Sequence, residues 1–196
     1  VEQLLSMGQN VKLIVRSTGK TTDTWKNNDK ISIIKANISE ISVDEMKNYL
    51  VDCQSVASCL GHNITLKGIL GKPRKLVSDA VKLICMAIQS TSPEKPIKFV
   101  LMNTTANRNR DLNEPISIGE KLLMRLIRLF IPPQSDNEKA ADFLRVNIGQ
   151  KNKLIDWVAV RPDTLTNEDN VTEYELYTSP IRSAMFNPGK TSRINV

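Results

Sequence analysis

Short runs of branched apolar residues alternate along the chain with longer segments of helical period. Residues 11–15, 31–36, 97–102 and 154–160 are mostly Val, Ile, Leu and Phe, which predicts strands. Residues 52–61, built of small side chains and ending at Gly61, predict a further buried strand. Residues 1–7 read as the end of a helix stopped by Gly8. Residues 42–50 predict a helix, with Ser42 at the cap and Glu45 at the capping-box spacing. Residues 73–89 form the strongest helical pattern, with Leu76, Val77, Ala80, Leu83, Ile84 and Ala87 on one face. Residues 118–131 predict a helix ended by Pro132-Pro133, and residues 138–147 another. The tail from 163 to 196 reads as loop with short strands.

Strands alternating with helices imply right-handed crossovers and a parallel sheet covered on both faces. The expected fold is α/β, a Rossmann-like doubly wound parallel sheet in a three-layer sandwich. The 196 residues suffice for one core, and no repeat or linker divides them. The 40% hydrophobic and 24% charged residues are ordinary for a globular domain. No apolar run approaches the ~18 residues of a membrane helix. The net charge is +6, but Lys and Arg are spread from Lys12 to Arg193 with acids between them. No nucleic-acid or membrane partner is therefore expected, and the basic excess suits a pocket for an anionic ligand. Lys121, Arg125 and Arg128 share one face of helix 118–131, and Ile118, Leu122, Leu126 and Leu129 another. A core-packing amphipathic helix is expected there in preference to a membrane-surface one. Cys53, Cys59 and Cys85 match neither a disulfide framework nor a metal site; buried free thiols in a reducing, cytoplasmic compartment are expected.

In open parallel sheets, ligands bind outside the carboxyl ends of the strands. Those ends here are Arg16-Ser17, Asn37-Ile38, Leu60-Gly61-His62, Asn103-Thr104-Thr105 and Arg161-Pro162. One polar strand end is commonplace; five on one edge predict a ligand site. His62 is the only histidine, and no acid/base partner for it can be named from sequence.

Several of these segments, in order, resemble one family. Gly8-Gln9-Asn10-Val11 followed by Val15-Arg16-Ser17 looks like a helix, turn and second strand with a terminal basic residue. Residues 52–61 look like the fourth strand and 99–105 like the fifth, ending in Thr104-Thr105. Residues 139–145 and 156–162 look like the next helix and the strand that ends in Arg161-Pro162, and residues 192–196 like the segment before a further helix. The chain is similar to atypical short-chain dehydrogenase/reductases, the NAD(P)H-binding group that includes flavin and biliverdin reductases.

The resemblance implies a nicotinamide dinucleotide along this edge. Arg16 and Ser17 would meet the adenine ribose, Asn37 and Ile38 the adenine, and Leu60, Gly61 and His62 the ribose. Asn103, Arg161 and Pro162 would complete the cofactor site. Thr104, Thr105 and Lys139 would stand nearest the chemistry. Arg16 suits the 2′-phosphate of NADP rather than NAD, whose binders tend to use a carboxylate there; a solvated surface arginine is the alternative. Thr104 and Thr105 could equally be strand-end caps, and Lys139 a solvated helix residue. Two departures stand out. The eight glycines, Gly68 among them, form no Gly-x-x-Gly-x-x-Gly loop, so a first strand and phosphate loop are expected ahead of Val1. Ser135, not tyrosine, stands four residues before Lys139, which removes the family's tyrosine acid. The expected function is NADPH-dependent hydride transfer to a small organic or flavin-like substrate. The rival is a non-catalytic NAD(P)H-binding redox sensor or regulator.

Overall fold

The computed structural model describes residues 1–63, 65 and 71–196, with Lys20 by its backbone alone; Gly68 falls outside them. All strand pairs are parallel. β1 (Val11–Val15) pairs with β2 (Ile31–Lys35), and β3 (Ser55–Ser58), β4 (Ile97–Met102) and β5 (Ile155–Val160) pair in that order. β6 (Thr164–Thr166) and β7 (Lys190–Ser192) form a small third pair. The registers Val15↔Lys35, Ser58↔Leu101 and Met102↔Val160 bring the carboxyl ends within each sheet to one edge. Among the described residues β1 and β3 do not pair with each other, so the sheet is interrupted between them. Lys12 on β1 nevertheless donates to the Val51 carbonyl at 2.6 Å, and Ile14 packs on the same core as Val56.

The helices are α1 (Glu2–Ser6), α2 (Asp23–Lys26), α3 (Val43–Leu50), α4 (Leu76–Thr91), α5 (Ile118–Phe130) and α6 (Pro132–Phe143), the last running into a π-helical turn over Leu144–Ile148. Ser42 caps α3 as its sequence predicts. Its hydroxyl accepts from the Glu45 N–H at 3.2 Å, and the Glu45 carboxylate accepts from the Ser42 N–H at 2.8 Å. α4 lies between α3 and α6 over the three-stranded sheet. Its inward residues Val77, Val81, Ile84 and Ile88 meet Met46, Phe99, Leu101, Leu144 and Ile155, all buried. Burying each such side chain stabilises the fold by roughly 1.5–3 kcal/mol. Truncating Phe99, the largest of the fully buried side chains, would leave a large cavity in this layer.

Several elements differ from their sequence expectations. The strand expected over 52–61 is only four residues long, and Ser55 and Ala57 are exposed. α6 begins at Pro132 rather than 138. Pro132 and Pro133 end α5 and also open α6, where their missing N–H groups are no loss. The short α2 had no apolar period to reveal it. Of the three free cysteines only Cys85 is buried, Cys53 is half-buried, and Cys59, just past a strand end, is exposed.

The largest correction concerns α5. It packs inward through Glu120, Leu123, Met124 and Ile127. Its row of Ile118, Leu122, Leu126 and Leu129, expected in the core, is exposed by 86%, 59%, 47% and 73%. The helix holds two apolar arcs, and the fold uses the other one. Among the described residues no helix is long and apolar enough to cross a membrane.

Candidate functional site

The predicted strand ends do share the carboxyl edges of these sheets. They fall into two groups by what their polar atoms already do. In the first group the protein itself uses them. Ser17 accepts from the Gly19 N–H and caps a 3₁₀ turn. Asn37 donates to Glu40 at 2.7 Å and accepts from the Ser39 N–H. Asn103 donates to the Asn137 carbonyl at 3.1 Å, tying the end of β4 to α6, and accepts from the Thr104 N–H. Ile38 and Leu60 pack against the core rather than face solvent. The Pro162 carbonyl accepts from the Thr105 N–H at 3.4 Å.

Arg161 is the most committed. Its guanidinium meets Glu114 through two nitrogens, at 2.7 and 3.1 Å, and donates to the Asn107 carbonyl at 3.0 Å. The Glu114 carboxylate is almost wholly buried and also accepts from the Asn109 N–H at 2.9 Å. This planar, two-point pairing clamps the loop after β4 to the end of β5.

His62 has the partner its sequence did not reveal. Its Nε2 lies 2.8 Å from Oδ2 of Asp136 on α6. Asp136 is 2% exposed. The same carboxylate accepts from the Val77 N–H at 2.8 Å, the Ser78 N–H at 3.1 Å and the Ser78 hydroxyl at 2.5 Å. Val77 and Ser78 are in the first turn of α4, whose N–H groups have no partner inside the helix. A buried anion there meets both the open donors and the positive helix end. Asp136 thus joins α4, α6 and the loop after β3.

The second group keeps spare capacity. Arg16 is exposed beyond β1 and makes no hydrogen bond or ion pair among the described residues; the nearest acid downstream, Asp23, is held by Lys26 at 2.8 Å. Among the described residues Gly61 has no atom within 4 Å of where a Cβ would stand, which leaves its backbone approachable on that side. The Thr104 oxygen accepts from the Ala106 N–H at 3.3 Å, and its O–H has no acceptor among the described residues. The Thr105 hydroxyl and the exposed Lys139 ammonium have no partner among the described residues. Thr105 opens into a cleft shared with Arg108, Glu120, Met124, Pro180 and Arg182, with α5 as one wall. A wider depression lined by Leu5, Thr24, Asn27 and Lys30 lies at the amino end of β2. That is the edge where parallel sheets do not bind ligands, and it holds none of this chemistry. The hydroxyl of Ser58, the last residue of β3, is buried without a partner among the described residues.

The NAD(P)H-binding family model matches residues 1–196. No curated protein matches the chain by sequence. Solved structures do match in fold. The Bordetella bronchiseptica enzyme WbmG, determined with NAD and UDP, aligns at 11% identity with a TM-score of 0.58, over 85% of this chain and 49% of WbmG. The Thermus thermophilus UDP-glucose 4-epimerase, complexed with NAD, gives 12% identity and a TM-score of 0.57, over 87% of this chain and 52% of the epimerase. SP1627 of Streptococcus pneumoniae TIGR4, assigned provisionally as an NADH-flavin reductase, gives 20% identity and a TM-score of 0.50, over 87% and 68%. The chain spans about half the length of the first two.

Proposed function

Because the chain belongs to the NAD(P)H-binding family, we propose that it works as an NADPH-dependent oxidoreductase on a small organic or flavin-like acceptor. The observation behind the cofactor choice is Arg16. It has no partner among the described residues at the end of β1, and the nearest downstream carboxylate is already paired. A free guanidinium suits a 2′-phosphate, whereas a free carboxylate would suit the 2′-hydroxyl of NAD. The residues with spare capacity divide the remaining work. Gly61 admits the ribose, Thr104 and Thr105 direct O–H donors at an acceptor oxygen, and Lys139 reaches the second ribose. The bound dinucleotide would supply a hydride, and the acceptor would take its proton from solvent, since Ser135 stands where the family's tyrosine acid would be. Flavins and quinones need little help from a protein acid, hence the choice of acceptor.

The interrupted sheet supports a second part of the proposal. One further parallel strand, leading into a glycine-rich loop, would fill the interruption between β1 and β3. Backbone amides of that loop would hold the pyrophosphate. The domain would then be a single Rossmann-like unit.

Calorimetric titration of NADPH and NADH tests both parts, on the 196-residue chain and on a chain extended upstream. Tight NADPH binding only in the extended chain is expected. Equal affinity of the two chains would refute the loop, and preference for NADH would refute the role of Arg16. NADPH oxidation with flavin mononucleotide or a quinone separates the enzyme from its rival. Tight binding without turnover would favour the non-catalytic sensor, a reading that Ser135 in place of tyrosine supports.

A further inference from the structure

At ~100° per residue α5 has three sides. Leu123, Met124, Ile127 and Glu120 face the protein. Ile118, Leu122, Leu126 and Leu129 face solvent, and Lys121, Arg125 and Arg128 flank that apolar row on one side only. On the other side Phe186, itself exposed, extends the row, with its ring 3.7 Å from where a Cβ on Gly119 would stand. Such an outward patch is unusual on a free surface.

The charges nearby say what covers it. Between 108 and 145 every carboxylate but one is engaged. Asp111 and Asp142 meet Arg145, Glu114 meets Arg161, Glu138 meets Arg128, and Asp136 holds His62 and α4. The exception, Glu120, is buried. Lys121 and Arg125 are left with no ion pair among the described residues. An apolar row with an uncompensated basic flank complements an anionic surface with an apolar interior. A second copy fits less well. Two α5 rows packed antiparallel about a twofold axis would set basic flank against basic flank.

We propose that α5 docks this protein in plane on an anionic phospholipid membrane. Ile118, Leu122, Leu126, Leu129 and Phe186 enter the acyl boundary, and Lys121 and Arg125 lie among the headgroups. The helix is roughly 20 Å long and lies on the bilayer without spanning it. It also forms a wall of the Thr105 cleft, so docking brings that cleft close to the lipid phase.

Co-sedimentation of the protein extended upstream as above with phosphatidylcholine vesicles, with and without 30 mol% (about a third) phosphatidylserine, tests this. Binding to the anionic vesicles is expected, about thirtyfold tighter than to neutral ones from two cations near the surface. Lys121→Glu with Arg125→Glu should abolish that difference, and Leu122→Glu with Leu129→Glu should abolish binding. All four positions are exposed, so circular dichroism should match the parent. Three results would overturn the proposal: no vesicle binding, binding indifferent to the α5 variants, or a solution dimer dispersed by Leu122→Glu without vesicle binding. The last would give the face to a second copy.

Discussion

Replacing Asp136 with alanine removes one carboxylate that three elements share. The group is 2% exposed and accepts from two N–H groups of α4, the Ser78 hydroxyl and His62, all between 2.5 and 3.1 Å. Without it, two helix N–H groups, a hydroxyl and a nearly buried imidazole lose their partner at once. Leaving the partners of a buried charge unsatisfied costs about 3–5 kcal/mol. Whole-domain stability is typically ~5–15 kcal/mol. With a urea slope of about 2 kcal/mol per molar, the midpoint should fall by roughly 2 M. Asp136→Asn keeps the shape and one acceptor oxygen but points an NH₂ at a donor, so about half that loss is expected. Urea titration followed by tryptophan fluorescence reads both. Trp157 reports on the core, since its indole N–H donates to the Gly149 carbonyl at 2.9 Å. Asp23→Ala, which breaks only an exposed pair with Lys26, is the control and should leave the midpoint in place. A fall below about 0.5 M for Asp136→Ala, on the same slope, would mean that the carboxylate does not hold the three elements together.

In the extended protein, Arg16→Ala should weaken NADPH about tenfold to a hundredfold, from one lost charge-assisted contact, and NADH little; equal loss of both cofactors would make Arg16 structural. Double-mutant cycles on Arg161→Ala and Glu114→Ala should give coupling of about 1.5–3 kcal/mol, because the Glu114 side chain is almost wholly buried; additive effects would show that the two-point contact is not formed. Thiol titration of the native protein at pH 8 should modify Cys59 first, Cys53 slowly and Cys85 not at all. Burial raises all three thiols and pushes Cys85 up to about 12, so very little of its reactive thiolate is present at pH 8 in the folded protein. Fast labelling of Cys85 without unfolding would contradict its burial.

Whatever depends on local period was legible in the sequence. The runs at 11–15 and 97–102 became β1 and β4 at the same limits, and the Ser42–Glu45 capping box formed as spaced. The start of α6 had a signal that a different weighting would have found, because Pro132-Pro133 can open a helix as readily as close one. The α5 error has another origin. Leu122 and Leu123 belong to different arcs of one helix, and period alone does not say which arc turns inward. That depends on tertiary surroundings: Glu120 and Met124 turn toward a cleft that residues near 105 and 180 also line. The partner of His62 was hidden for the same reason. Asp136 is 74 positions away, among polar residues that look solvated in sequence. The strand ends do lie at the carboxyl edges of their sheets. Which of them were already spent, as Arg161 is on Glu114, became visible only with tertiary contacts.

Asp136 also bears on the site itself. It and Lys139 are on adjacent turns of α6, about 60° apart around the axis at ~100° per residue. Asp136 is locked inward by the first turn of α4, and Asn103 at the end of β4 donates to the carbonyl of the next residue, Asn137. Those two ties fix the rotation of α6 and its position relative to Thr104 and Thr105. Lys139, on the next turn of that helix, is exposed and has no hydrogen bond or ion pair among the described residues. An unpartnered lysine on a freely turning helix would be ordinary surface charge. On a helix pinned to the strand-end layer, the Lys139 backbone at least is fixed, which the proposed role as a donor to the cofactor would require. The same reasoning separates Asp136→Asn from Lys139→Met in the proposed reaction. The first should lower NADPH affinity and turnover together as α6 loosens, with a loss that grows with temperature. The second should lower them while leaving the urea midpoint untouched.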